Sequence, residues 1–200
     1  MTTTDANPPM TLDSLEDFAA RQRAHRAFTE EPVPDELIKR IIRVATRAPN
    51  ARNVQPWHFI VIRDRETKRQ IADIQSDMTN QPRGQSAPGR QNWADVPVLI
   101  AVCSTLPFGE GRAGDAATAG SIYPAVQNLM LAAQAAGLGT VLTTRWRLNE
   151  DKVGPVLGLP EDMAVHAIIP MGWPAEKLGK NRRKPVREVT SRERYGTPWR

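Results

Sequence analysis

The sequence predicts an α+β (or α/β) fold built around a central sheet. Three observations carry that reading: four apolar runs suited to strands, helical segments set between them, and one long helix in the middle of the chain. Two hundred residues suit a single domain spanning 1–200. At 40% apolar and 24% charged residues the chain can bury a core.

Residues 1–11 read as frayed. Leu15, Phe18 and Ala19 give a short helical pattern that ends near an arginine cluster. Pro34 opens a strong helix, with Asp35 and Glu36 in its first turn, where the helix dipole favours acids. Leu37, Ile38, Ile41 and Ala45 make its apolar face. Pro49 forces Ala48 out of the helical region and ends the helix. Trp57 to Ile62 reads as a strand, and a polar helix from about Glu66 to Ile74 follows. Residues 76–92 show no period and read as a mobile loop or lid.

Val96 to Cys103 is the second strand, with Pro97 at its start or on an edge. Asp115 can cap a long helix to about Ala136, closed by Gly137. Pro124 interrupts that pattern. Its ring meets the carbonyl of Gly120, which predicts a kink or a broken first section near 120–124. Gly139 to Thr144 is a third strand, Asn149 can cap a short helix to Leu157, and Met163 to Ile169 is a fourth strand. Residues 173–200 hold no apolar run able to stand alone. They read as an extended arm on this chain or on a partner.

The net charge is +5. From Lys177 onward there are nine Lys or Arg against two acids, Glu188 and Glu193. Such charge can serve nucleic acid, membrane headgroups or a phosphate-bearing cofactor. A nucleic-acid module remains an alternative, but no helix-turn-helix, RRM-like aromatic motif or zinc spacing is present. The single cysteine, Cys103, forbids an internal disulfide and reads as a buried, inert thiol. Met1 to Pro9 is polar and is no signal peptide. No apolar stretch is long enough for a bilayer. A cytoplasmic protein with no membrane partner is therefore expected. His25, His58 and His166 are not spaced like metal ligands, and no Ser-His-Asp arrangement is visible.

The informative motifs are anion sites and a stiff polar loop. Arg23 and Arg26 are three apart, so on a helical turn they would share one face. Guanidinium forks from separate segments are a common way to hold a phosphate, and Arg182 and Arg183 form a second basic cluster. The loop Pro49-Asn50-Ala51-Arg52-Asn53-Val54-Gln55-Pro56-Trp57 joins a helix to a strand, and its amides suit a ligand.

In order along the chain stand Arg26-Ala27-Phe28, that loop, Gly172-Trp173-Pro174-Ala175-Glu176, and Arg182-Arg183-Lys184-Pro185. Together they resemble the FMN-dependent nitroreductase family across residues 15–190. The resemblance implies a mixed or antiparallel sheet of four to five strands flanked by helices, an extended C-terminal arm and a homodimer. It also implies noncovalent FMN and NADH or NADPH as electron donor. Nitroaromatics, quinones or similar small molecules would be reduced by a ping-pong hydride mechanism, with the flavin performing the chemistry and no catalytic side chain required.

Carried over by position, Arg23 and Arg183 would hold the FMN phosphate, with Arg182 nearby and Ala24 beside them. Arg26 would face the ribityl chain or the N1–O2 ring edge. Pro49, Asn50, Ala51 and Asn53 would contact the flavin, Asn53 through its amide. Leu142, Thr143 and Thr144 would bring a strand end near N5. Tyr123, Trp93 and Phe108 are substrate-pocket candidates. The chain departs from the family at Gln22, Ala24 and Asn50-Ala51, where arginine or serine is usual. A flavoprotein acting on another unsaturated or halogenated ring, or one that only sequesters flavin, would share these features.

Overall fold

The computed structural model describes residues 10–77, 91–105 and 111–199. The chain divides into two compact units: Arg23–Lys177, and Met1–Gln22 with Leu178–Arg200.

The larger unit contains the sheet. Among the described residues it has four strands in the order β1-β2-β4-β3, every neighbouring pair antiparallel. β1 is Trp57–Ile62, β2 Val98–Thr105, β3 Gly139–Thr140 and β4 Met163–Gly172. Helices α2 (Asp35–Ala45) and α4 (Gly111–Ala135) cover one face. Helices α3 (Arg65–Asp77) and α5 (Glu150–Val156) belong to the core on the other.

Strand periodicity assigns the side chains of β2. Val98, Ile100 and Val102 enter the core beneath α2 and α4, whereas Leu99, Ala101 and Cys103 enter the opposite one. A strand buried on both faces reads as a continuous apolar run, as this one does. On β4 the alternation changes phase: Val165 and Ile168 share one core, while Ala167, Ile169 and Met171 share the other. A bulge explains the change. Val102 pairs with Ala167 and Cys103 with Val165, so His166 opposes no residue of β2.

Two elements differ from their sequence expectation for identifiable reasons. The third strand stops at Thr140 instead of reaching Thr144. Val141 donates to the Pro170 carbonyl at 3.4 Å, but Pro170 has no N–H to return, so the ladder lapses. It resumes only as a single bridge from Thr143 to Ile168. The long helix begins at Gly111, which places Asp115 inside it and not at its cap. It also runs through Pro124 without a break. The proline costs on the order of 3 kcal/mol in a helix interior. Burial of Ile122, Ala125, Val126 and Leu129 around it holds the helix together, and the space beside exposed Gly120 leaves room for the ring.

α2 and β1 lie where the sequence places them, and Asn149 precedes α5 without a side-chain cap bond. β2 starts two residues late, after Pro97. α3 extends to Asp77 and so absorbs the start of the expected 76–92 loop. Residues 78–90 of that loop lie outside the described residues, as do 1–9 of the expected frayed start.

Gly139 and Gly172 face each other across β3 and β4 and are spaces for neighbouring segments. A Cβ on Gly139 would sit 2.7 Å from the Cβ and Cγ of His25. One on Gly172 would sit 2.9 Å from Pro97 Cγ and 3.0 Å from Phe28 Cβ. Gly139→Ala is therefore expected to cost about 1–3 kcal/mol through overpacking, read as a lower urea midpoint with an unchanged slope.

In the smaller unit, α1 (Leu12–Ala20) starts with a capping box between Thr11 and Ser14. Asn181 donates to the carbonyl of Ala19 at 3.1 Å, and Lys180 pairs with Asp17 at 2.5 Å. The C-terminal segment is irregular through Pro185, forms the single turn α6 (Val186–Val189), then folds back through a Ser191–Pro198 bridge. The arm is thus not extended along its whole length.

Candidate functional site

Strain marks the loop that follows α2. Arg52, Asn53 and Gln55 have φ of 53°, 54° and 49°. Three non-glycine residues in the left-handed region within four positions cost about 1–2 kcal/mol each. Such a loop persists only when its surroundings fix it. The Gln55 N–H donates to Asn50 Oδ1 at 2.8 Å. The Ala51 N–H donates to Ser121 Oγ on α4 at 3.2 Å, and that hydroxyl donates on to the Ala117 carbonyl. Asn50 and Ala51 therefore hold the loop, while Arg52, Asn53, Val54 and Gln55 remain exposed. Among the described residues the Asn53 carboxamide makes no hydrogen bond. Ser121 is a supporting residue that the sequence did not single out.

The arginine segment is extended, not helical. Ala24 forms a parallel bridge with Thr140, and the His25 N–H donates to the Thr140 carbonyl at 3.0 Å. Phe28 bridges Pro174 on the other side of the segment's length. An extended chain alternates its faces, so Arg23 and Arg26 do not share one as a helical turn would require. The sequence could not reveal this, because it follows from partners more than a hundred residues away. Arg23 is half-buried; Arg26 is exposed and donates to the carbonyl of Ala24 at 3.2 Å. Gln91 braces the segment: its N–H donates to the Arg26 carbonyl and its Oε1 accepts the Phe28 N–H. Arg182 and Arg183 are exposed in the smaller unit, where Arg183 Nη1 donates to the Arg182 carbonyl at 2.9 Å.

Leu142, Thr143 and Thr144 follow β3. Thr143 Oγ1 donates to the Ile168 carbonyl at 2.6 Å, Leu142 is 39% exposed and Thr144 is exposed. Beneath them lies Trp146, fully buried, whose Nε1 donates to the Thr143 carbonyl at 3.1 Å. Tyr123 is half-buried; its hydroxyl donates to the His166 carbonyl at 3.2 Å and accepts from Arg147 Nη1 at 3.4 Å. Trp93 is 8% exposed in the core cluster with Ile71, Ile74 and Leu99, so its ring packs within the fold. Phe108 lies outside the described residues.

His166 Nε2 lies 2.7 Å from Ser104 Oγ, with both side chains buried. An imidazole and a hydroxyl at this distance could begin nucleophilic chemistry, but no substrate reaches a fully buried serine. Burial pushes His166 below the usual imidazole value, and the Arg147 charge adds to the effect. Burial also lowers His25; Glu176 opposes the shift and Arg23 supports it. Burial pushes the Cys103 thiol up to about 12, which keeps it unreactive. Among the described residues no group of three or more His, Cys, Asp or Glu could hold a metal ion.

The histidine shifts fix a pH dependence. Both folded values lie below the ordinary 6.5, so between them and 6.5 the unfolded chain binds more protons. Their contribution to stability is complete above about 6.5 and disappears as pH falls through the folded values. Unfolding by urea at pH 7.5 and 5.5 should show lower stability at 5.5. A His25→Asn, His166→Asn variant should show a flatter dependence; an identical slope would count against the assignment.

Residues 19–173 match the profile of the Nitroreductase family. A protein of Methanothermobacter thermautotrophicus, provisionally named NADH dehydrogenase/NAD(P)H nitroreductase, is 36% identical over 171 residues, covering 84% of this chain and 81% of that one. An iodotyrosine deiodinase of Thermotoga neapolitana is 27% identical over 189 residues, covering 88% and 96%. Among solved structures, an oxidized iodotyrosine deiodinase bound to FMN and 3-iodo-L-tyrosine superposes with a TM-score of 0.68 at 26% identity, covering 92% of this chain and 99% of that one.

Proposed function

The chain belongs to the nitroreductase family, and from that premise we propose that it is an FMN-dependent oxidoreductase using NADH or NADPH to reduce a small organic acceptor. The carrying observation is the strained, over-determined loop at 50–55. Strain of this kind is kept where a ligand is met.

The residues present fit the cofactor. The candidate residues of the larger unit offer two guanidinium groups (Arg23 and Arg26), the exposed carboxamide of Asn53, and backbone at Ala24 and Leu142–Thr144; Arg182 and Arg183 are further guanidinium candidates by sequence. Guanidinium and amide donors suit an anionic phosphate. When bound, FMN supplies the hydride chemistry. The protein's part is binding and orientation. Arg23 is the phosphate ligand proposed in the larger unit, Arg182 and Arg183 are the candidates carried over by sequence, and Arg26 holds positive charge at the ribityl chain or ring edge. Pro49, Asn50 and Ala51 fix the loop that presents Asn53. Thr143, pinned by Ile168 and Trp146, keeps the segment at 142–144 in place for the other edge of the ring.

Nitroaromatics and quinones are the acceptors expected of this family. Halogenated aromatics form a second class, favoured by the Thermotoga likeness. A homodimer is expected from the apolar surface of the smaller unit.

Purified protein should carry about one noncovalent FMN per chain and oxidise NADH or NADPH when given a nitroaromatic or quinone. Colourless protein that stays inactive after FMN is added would overturn the proposal. Arg23→Ala and Arg183→Ala should each weaken FMN about tenfold or more, the scale of one charge-assisted contact. Flavin fluorescence reads both, and an unchanged affinity would remove that arginine from the site.

A further inference from the structure

Arg147 is positioned as a binding group. It sits in the short 3-10 turn Arg145–Asn149, and its N–H donates to the Thr144 carbonyl at 3.1 Å. Its guanidinium carries five donors, of which only Nη1 makes a hydrogen bond among the described residues, the long one to Tyr123. Among the described residues, the carboxylate that pairs with it, Glu150, is 4.0 Å away, outside hydrogen-bond range. The side chain is 46% exposed, so the charge is weakly neutralised and accessible.

The group is nevertheless oriented. Tyr123 spends its proton on the His166 carbonyl, which leaves its oxygen to accept from Arg147. His166 sits at the bulge of β4 and is tied to Ser104, so the chain of contacts runs back into the rigid sheet. His166, held low by burial, adds no competing cation. Apolar surface lies along the same segment: the Tyr123 ring packs on the core, and Leu142 is exposed two residues before Thr144. A fixed planar cation beside an aromatic ring suits a flat ligand that carries an anion.

We propose that Arg147, oriented by Tyr123, takes the carboxylate of an aromatic acid, and that such acids are favoured acceptors. The second clause rests on the oxidoreductase reading above; the binding clause does not. The pairing predicts discrimination between isosteric anionic and neutral ligands of about tenfold, shrinking with salt.

Calorimetric titration with benzoate and benzamide tests the binding, and KM for 4-nitrobenzoate and 4-nitrobenzamide tests the preference. Wild-type protein should bind benzoate about tenfold more tightly than benzamide. Arg147→Gln should abolish that difference without changing benzamide affinity, and Arg147→Lys should restore part of it. Glu150→Gln should tighten benzoate by removing a competing charge. Equal affinities in the wild type, or a difference that survives in Arg147→Gln, would overturn the inference. If benzoquinone is reduced normally while benzoate is not preferred, the inference fails and the oxidoreductase reading stands. If benzoate is preferred but no flavin binds, only the oxidoreductase reading and the acceptor clause fail.

Discussion

Trp146→Ala should remove about 3–5 kcal/mol of stability, the scale of deleting a buried aromatic side chain from a core. Trp146 is fully buried and heads the large, wholly enclosed side chains of the fold. It belongs to the core cluster that also holds Trp93, Ile71 and Val153. Domains of this size have about 5–15 kcal/mol in hand, so the variant should be marginal at best. A second variant separates packing from hydrogen bonding. Trp146→Phe keeps much of the apolar volume but removes the donor to the Thr143 carbonyl, at a cost of about 1–3 kcal/mol for the stranded acceptor. Urea unfolding measures both. If Trp146→Ala loses less than about 1 kcal/mol, the segment at 142–144 is not supported from beneath as described.

The features legible in the sequence are those that local chemistry determines. Pro34 opens α2 whatever surrounds it, although the helix ends at Ala45, ahead of Pro49, and the β-branched and aromatic run at 57–62 has one reading. The loop at 49–57 was visible as a proline-bounded polar stretch, although its three left-handed residues were not. Elsewhere the deciding partner was remote. Pro170 cut the third strand short, and only its alignment beside Val141 shows why. Thr140 and Pro174 drew the arginine segment into an extended form against its helical spacing. Asp115 is a good cap in isolation, yet the helix begins four residues earlier. Trp93 stood beside an aperiodic loop and so read as a substrate-pocket candidate; its burial in the core depends on Ile71, Ile74 and Leu99, which come from other elements. His166 is the instructive case. In the sequence it interrupts an apolar strand without purpose; in the fold it occupies the unpaired position of a bulge, where a polar side chain can turn to Ser104 and keep the flanking apolar residues on their correct faces.

Replacing Leu12 by Glu and Trp199 by Ser together should abolish self-association. The argument lies within the smaller unit. Its helix α1 buries no residue, although Leu12, Leu15 and Phe18 repeat at the spacing of an apolar face. Leu12 is 77% exposed and Trp199 57%, and Met10, Val186, Val189 and Tyr195 are exposed as well. Seven large apolar side chains, Leu15 included, open to water in one small unit are characteristic of a surface that another molecule covers. A second copy is the occupant consistent with the homodimer proposed above. A tryptophan at such a surface carries disproportionate binding energy, about 2 kcal/mol or more, and burying the unpaired carboxylate introduced at Leu12 costs about 2 kcal/mol or more again. Together these exceed about 4 kcal/mol, or roughly a thousandfold in dissociation constant. Sedimentation velocity at micromolar concentration should find the wild type dimeric, the double variant monomeric and a Glu161→Gln control in the larger unit unchanged. A monomeric wild type would mean that this apolar surface serves some other contact; a dimeric double variant would place the interface away from α1 and the C-terminal turn.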